Sequence, residues 1–506
     1  MKNITKYIVA VFVSLTTLVS CNLDLVPTTA IVYDEDVPAM QTLDDIVGFY
    51  NGVLASYRSL CSGSFDITTD VMVDYFNATK DFGNNYGPVH RLDDSFTTGD
   101  NDVESIWASH YSAIKNYNVV IEQADKVESE ELKDAARYVQ AVAYFCRASA
   151  YLTLTRLWGE VYEEDTAAEA LSVPLILSYD INKVPSRATV EDVYAQIDSD
   201  LTFAEDIYEL ELVLYGYVPQ PITIDAVNAL WARYYLDTKD YKNAYKKALA
   251  VIGSEAGYKL ASNAQEMMAE YLNDSGTEPI VQLYADKSEG TVSRSVYTLV
   301  GFDENEGNYF APYFLPSQNL LDAYDPADLR LSSWFTNKKY MTFMQGSFHD
   351  GISVFVKFIG NPNLYTGSLE QSANAAKPLM ISEMYLIAAE AAYMDNGTVN
   401  INSDKYLGEL QKARGATVTS GTLENIKKEW YREMVGYGQR FVCLKRWGDG
   451  IGARNIQDEA AAVCMDGEAY DQRTIAADSH IFNLPIPAYE IKITPSLGQN
   501  DGYSAN

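Results

Sequence analysis

The chain has 506 residues, enough for several small domains or one large one, and its 47% apolar and 21% charged side chains are ordinary for a folded globular protein. Its 38 basic residues stand against 70 acidic ones, a net charge of −32 that repels phosphate backbones and anionic lipid headgroups alike. Nucleic acid is thereby excluded as a partner, and so is adhesion to a membrane by charge.

The first residues read as an export signal. Lys2 and Lys6 supply a positive start, and Tyr7 to Leu18 form an apolar run well short of the ~20 residues that span a bilayer. The run ends in Leu18-Val19-Ser20-Cys21, the pattern of a bacterial lipobox. Residues 1–20 are therefore read as a lipoprotein signal peptide, with Cys21 the lipidated first residue of a single-domain mature chain, 21–506. Each buried acyl methylene adds about 0.8 kcal/mol, so several chains on one cysteine anchor firmly without a transmembrane helix. Residues 21–27 read as an extended tether.

Helical periodicity follows. Val139, Val142, Cys146, Ala150, Leu154 and Leu157 predict a helix over Lys133 to Trp158 that stops at Gly159. Thr189, with Asp192 three residues on, predicts the start of another that runs to Tyr208. Thr223 to Ile252 reads as helix, a tight turn at 237–240, and helix. Ala232, Tyr235, Ala244 and Ala248 there fall at tetratricopeptide-like spacings, with Tyr235 expected to fill the space between the helices. Glu383 to Ala413, and Trp107 to Ala124 followed by Lys133 to Trp158, offer two more pairs. The predicted fold class is mostly α, with tetratricopeptide-like helical pairs as a scaffold.

Between about 260 and 376 the periodicity fades into Tyr-, Phe-, Asn- and Gly-rich sequence with short β-like runs such as Gly351 to Ile359. This is read as a loop-rich, partly β insertion carrying the ligand face, because ordered loops on a rigid scaffold are where binding usually sits. Cysteine usage spells no disulfide framework. Cys146 and Cys443 lie in apolar helical segments and are read as buried small hydrophobes, while a Cys61–Cys464 bridge is left open.

The motifs resemble the SusD/RagB family of nutrient-uptake lipoproteins. The resemblance rests on Arg147-Ala148, Tyr151, Leu154 and Arg156-Leu157-Trp158-Gly159, then Arg187 and Val193-Tyr194, then Asp328-Leu329-Arg330. It is completed by Leu444-Lys445-Arg446-Trp447-Gly448, Leu484-Pro485-Ile486-Pro487 and Gln499-Asn500-Asp501-Gly502-Tyr503. Two positions depart from the family pattern: Tyr437 stands where glutamate is usual and Cys443 where aspartate is usual. The resemblance implies an outer-membrane, lipid-anchored and surface-exposed protein that binds oligosaccharides. It also implies a SusC-like TonB-dependent transporter as partner, no cofactor and no catalysis.

An enzyme reading finds little support. The four histidines, His90, His110, His349 and His480, are scattered, and no HExxH, GxSxG, phosphate loop or metal-spaced cluster occurs. Sugar rings instead call for aromatic faces flanked by polar groups. Five tryptophans fall in helical segments, leaving Trp334 in the insertion. By position, the stretches in which family members build ligand sites contain Tyr75, Phe76, Asn77, Phe82 and Tyr86 in one segment and Phe302, Tyr309 and Phe310 in the other. These, with Trp334, are the expected ligand contacts. An oligopeptide ligand on the same scaffold, a protein-binding adaptor and a glycoside hydrolase are the alternatives.

Overall fold

The structure is a computed structural model that describes residues 38–504, apart from 62, 179–183, 211, 217, 289–290, 338–339, 343–345 and 370. The signal peptide, Cys21 and the 21–27 tether lie outside the described residues. The helices include α1 (Leu43–Leu60), α2 (Ser64–Met72), α3 (Asn101–Asp125), α4 (Lys133–Trp158), α5 (Val190–Ala204), α6 (Ile224–Asp237), α7 (Tyr241–Ile252), α8 (Ile381–Asn396), α9 (Ile401–Ala413), α10 (Leu423–Glu433) and α11 (Gln439–Trp447), with other, mostly shorter ones besides.

Local chemistry sets their ends. Asp100 caps α3 by accepting from the N–H groups of Asp102 and Val103, at 3.0 and 3.1 Å. At the close of α4, a Cβ on Gly159 would come within 2.6 Å of the Ser172 hydroxyl, so glycine lets the strand Leu171–Pro174 pass. Thr189 and Asp192 form a reciprocal capping box at the start of α5. That helix ends at Ala204, earlier than its periodicity implied, and Ile207–Leu210 makes a separate turn.

The helices stack as pairs: α3 on α4, α4 on α5, α6 on α7, and α8 on α9. Ala232, Ala244 and Ala248 are fully buried where α6 and α7 approach. Tyr235 does not fill that space. It stays half-buried and stacks on Trp231 at 5.0 Å, while the Trp231 ring lies 5.5 Å from the Lys247 ammonium of α7. Helix α7 also packs directly on α8, although residues 253–380 intervene. The insertion therefore leaves the helical stack unbroken.

The insertion is built from short strands. With β1 (Phe76–Ala78) from the N-terminal part, they include β2 (Val300–Asp303), β3 (Gly307–Phe310), β4 (Phe314–Pro316), β5 (Tyr340–Thr342) and β6 (Ser347–His349). A four-stranded sheet runs β6–β5–β3–β2, and β1 pairs antiparallel with β4. The run from Gly351 to Ile359 forms a strand only at Val354–Phe355, paired with Phe335–Thr336. Val300, Phe310, Leu315, Tyr340 and Val354 enclose a second, smaller core beside the main one.

The C-terminal motifs lock onto α4. Trp158 Nε1 donates to the Pro485 carbonyl at 2.8 Å, and Asn500 Nδ2 donates to the carbonyls of Trp158 and Leu484 at 2.9 and 2.7 Å. Arg147 is held by Asp200 through two bonds, at 2.8 and 2.7 Å, and Arg156 pairs with Asp237 at 2.5 Å. The two pairs tie α4 to its neighbours α5 and α6. Cys61, Cys146, Cys443 and Cys464 are free thiols, so the Cys61–Cys464 bridge left open by the sequence is not made.

Candidate functional site

The two aromatic stretches singled out in sequence meet in space, because β1 and β4 pair side by side. Phe76 lies opposite Pro316, Asn77 opposite Leu315 and Ala78 opposite Phe314. The pairing continues as Thr79 donates its N–H to the Tyr313 carbonyl at 2.9 Å and its hydroxyl to that of Pro312 at 3.3 Å. One ladder thus fixes the loop 79–86 beside the strands of the insertion.

Burial then divides the expected contacts. Tyr75 is fully buried, its ring 4.9 Å from that of Tyr431 and its hydroxyl bonded to the Tyr431 carbonyl. Phe76 stacks on Tyr297 at 4.5 Å. Asn77 spends its amide on the Asn455 carbonyl at 3.1 Å. Phe82 meets Phe314 and Tyr470 edge-on, and Phe310 belongs to the second core. Trp334 is 4% exposed and forms a wall around the Lys357 ammonium, 3.7 Å from its ring centroid. All six, five rings and the Asn77 amide, are buried by packing in this structure, because loop-rich sequence needs a core of its own.

Three expected residues reach the surface or its edge differently. Phe302 is 60% exposed on β2, cross-strand from exposed Asn308. Tyr86 is half-buried, with φ of 53° in the left-handed region. Tyr309 is largely covered: its ring lies over Gly301, where a Cβ would stand 2.3 Å from it, and meets Phe348 edge-on at 5.6 Å. Gly301 is therefore required for that close approach.

The surrounding rim was not legible in sequence. Tyr313, Phe348 and Tyr470 are half-buried, Phe348 against Tyr309 and Tyr470 against Phe82. In the loop, Asn84 and Asn85 are exposed, and Gly83, Asn84 and Tyr86 all take positive φ. The loop is pinned by Arg91 Nη1 donating to Asn84 Oδ1 at 2.8 Å and by Lys80 Nζ donating to the Ala462 carbonyl at 2.7 Å. At the hairpin tip, Asp303 accepts from the N–H groups of Asn305 and Glu306, at 2.8 and 3.0 Å. The arrangement presents aromatic edges and carboxamides on a held backbone, suited to stacking on and hydrogen-bonding a polyhydroxylated ligand. Among the described residues no cluster of histidine, cysteine and carboxylates suits a metal ion. No described helix is long and apolar enough to cross a membrane.

Comparison with known proteins agrees with the motif reading. A family described as starch-binding and associating with the outer membrane, SusD-like 3, matches residues 32–236, and the SusD family matches residues 228–503. The SusD-like protein P2 of Formosa agariphila is 26% identical over 415 residues, covering 76% of this chain and 77% of the relative. A SusD superfamily protein from Bacteroides thetaiotaomicron superposes with a TM-score of 0.73 at 25% identity, covering 91% of this chain and 99% of that one. The surface glycan-binding protein A of Bacteroides fluxus shares the fold with a TM-score of 0.66 at 18% identity, over 91% and 100% of the chains. A structure with xylogluco-oligosaccharide gives the same TM-score and identity, over 89% and 98%.

Proposed function

Because this chain belongs to the SusD family, we propose that it binds nutrient oligosaccharides at the cell surface and delivers them to a SusC-like TonB-dependent transporter. The observation that carries the reading is the family match across residues 228–503, which spans the insertion and its strands. The rim around Phe302, Tyr86, Asn84 and Asn85 supports it with the aromatic and amide groups that sugar recognition needs. The glycan-binding protein and the oligosaccharide complex among its fold relatives bear carbohydrate in their own descriptions. Lipidation at Cys21 would hold the protein in the outer membrane beside its partner. Binding without bond cleavage is the proposed role.

The test uses the mature chain on a broad oligosaccharide array, followed by calorimetry on the best ligand. Micromolar to millimolar binding to a glycan, with no new reducing ends after prolonged incubation, is the expected result. Binding only to peptides would transfer the reading to an oligopeptide carrier, and product formation would replace it by hydrolysis. Affinity capture through this chain should bring down a TonB-dependent barrel from its native membrane.

A further inference from the structure

A second recess lies away from the strand rim, where the helical stack meets the insertion. It opens to solvent and holds about 80 Å3 of space for water-sized groups, room for several waters or a small ligand in their place. Its walls come from the end of α1, the middle of α4, α6, and the insertion's Arg294 and Lys377. What distinguishes it is charge. In a chain of net −32, four cations line this one cleft, Arg156, Arg233, Arg294 and Lys377, against a single lining carboxylate, Asp66.

Each cation is tethered from behind, leaving donors over. Arg156 gives only Nε to Asp237, at 2.5 Å. Arg233 gives Nε and Nη2 to Glu383, both at 2.6 Å. Arg294 gives Nη2 to Asp66 and lays its guanidinium 4.1 Å over the Phe358 ring. Lys377 bonds Asp274 at 2.5 Å. Among the described residues, no acceptor meets Nη1 or Nη2 of Arg156, Nη1 of Arg233, or Nη1 of Arg294. The Nε of Arg294, on a side chain more than nine-tenths buried, likewise has none. Of these donors only Arg294 Nε is buried without an acceptor, which is costly, while the remaining guanidinium N–H groups reach solvent; planar guanidinium forks fit oxyanions. The carboxylates that hold the forks also fix their orientation before any ligand arrives. The lining also includes the hydroxyls of Ser149 and Thr153 and the ring of half-buried Phe65.

We propose that this cleft is a separate binding site for a small oxyanion, a carboxylate or sulfate, borne on a sugar or free. The site is independent of the strand rim. Its ligand is recognised by charge, whereas the rim recognises neutral surface.

Calorimetry on the mature chain at low salt tests this with three probes: galacturonate, neutral galactose and inorganic sulfate. Galacturonate or sulfate should bind at least tenfold more tightly than galactose. Binding of sulfate alone assigns the site to a free anion, and binding of galacturonate assigns it to an acidic sugar. Arg294→Gln and Arg156→Gln should each weaken the anion at least tenfold. Because either could disturb an ion pair, Thr153→Phe is the companion variant, filling the cleft while leaving all four cations in place. It should abolish anion binding, whereas Phe302→Ala, at the rim, should leave it unchanged. Equal affinity for galactose and galacturonate, no binding of either anion, or full affinity in Thr153→Phe would overturn the proposal.

Discussion

Lys357 shows how single residues set the pH response. Its ammonium is buried against Trp334 and within 4.4 Å of the Tyr437 ring, with a bond to the Val435 carbonyl at 3.1 Å. Burial pushes its pKa down to about 7, and burial does the same to Lys445, which bonds the carbonyls of Arg156 and Gly159. The unfolded lysine titrates near ~10.4, so between about 7 and 10 the unfolded chain holds protons that the folded chain has released. Stability contributed by these two residues therefore rises with pH across that window. Lys357→Met should flatten the rise by up to about 1.4 kcal/mol per pH unit, read from urea unfolding at pH 7, 8.5 and 10. Tyr437, the departure from the family's glutamate, fits this pocket: its hydroxyl bonds that of Tyr271, and a carboxylate there would face a different partner set. At the surface, Phe302 carries the opposite expectation. Phe302→Ala should lower glycan affinity about tenfold, roughly 1.4 kcal/mol, while moving stability by no more than about 0.5 kcal/mol, because its ring is exposed.

At the scale of elements, caps and close approaches decide where helices stop and strands turn. The Thr189–Asp192 box, with bonds of 3.1 and 3.3 Å, starts α5 on the face that covers α4. Thr189→Ala should cost about 1 kcal/mol in a urea titration without altering ligand affinity. The β2–β3 hairpin is the element on which the proposed ligand rim rests. Its pairing puts Phe302 beside Asn308, and Gly307 takes a φ of 77° at its turn. Such elements were readable in part. Lys133 to Trp158 was visible to the residue because its apolar spacing is long and Gly159 ends it. The strands were not, since two- and three-residue strands carry too few alternations to give a period.

Across the whole molecule, buried charge joins the insertion to the scaffold. Arg414, the C-cap of α9, bonds Glu278 of the insertion at 2.6 and 2.9 Å and Glu433 of α10 at 2.5 Å. Arg330 of the insertion reaches Glu429 and Glu433 of α10 at 2.6 and 2.9 Å. Although burial alone would raise it, the charges of Arg414 and Arg330 hold the Glu433 carboxyl well below the usual carboxylate range. Its stabilisation is present above the unfolded value near ~4.3 and is lost as pH falls through the folded one. Arg414→Ala would leave buried Glu278 without its cation and Glu433 with Arg330 alone, at a cost of about 3–5 kcal/mol measurable by denaturant unfolding. The same interlock predicts a single transition. Trp334 reports on the insertion and the other five tryptophans on helices, so Trp334→Phe and the parent chain should show fluorescence midpoints that coincide with the loss of helical signal.

The sequence by itself determined the helical pairs and the family, because these depend on periodicity and on motifs, whereas the partners of the motif arginines came from the fold. Arg446 and Trp447, for example, both serve the Glu390 carboxylate, at 3.1 and 2.7 Å. Which aromatic rings stay exposed was decided only in three dimensions. Tyr75, Phe76 and Trp334 match Phe302 in residue type and in loop context, yet packing encloses the first three and leaves the fourth open. The basic cleft belongs to the same class. Its four cations come from positions between 156 and 377, and only the fold sets them around one space. Composition records how much charge and aromatic surface a chain carries, and tertiary contact decides which of it stays unpaired.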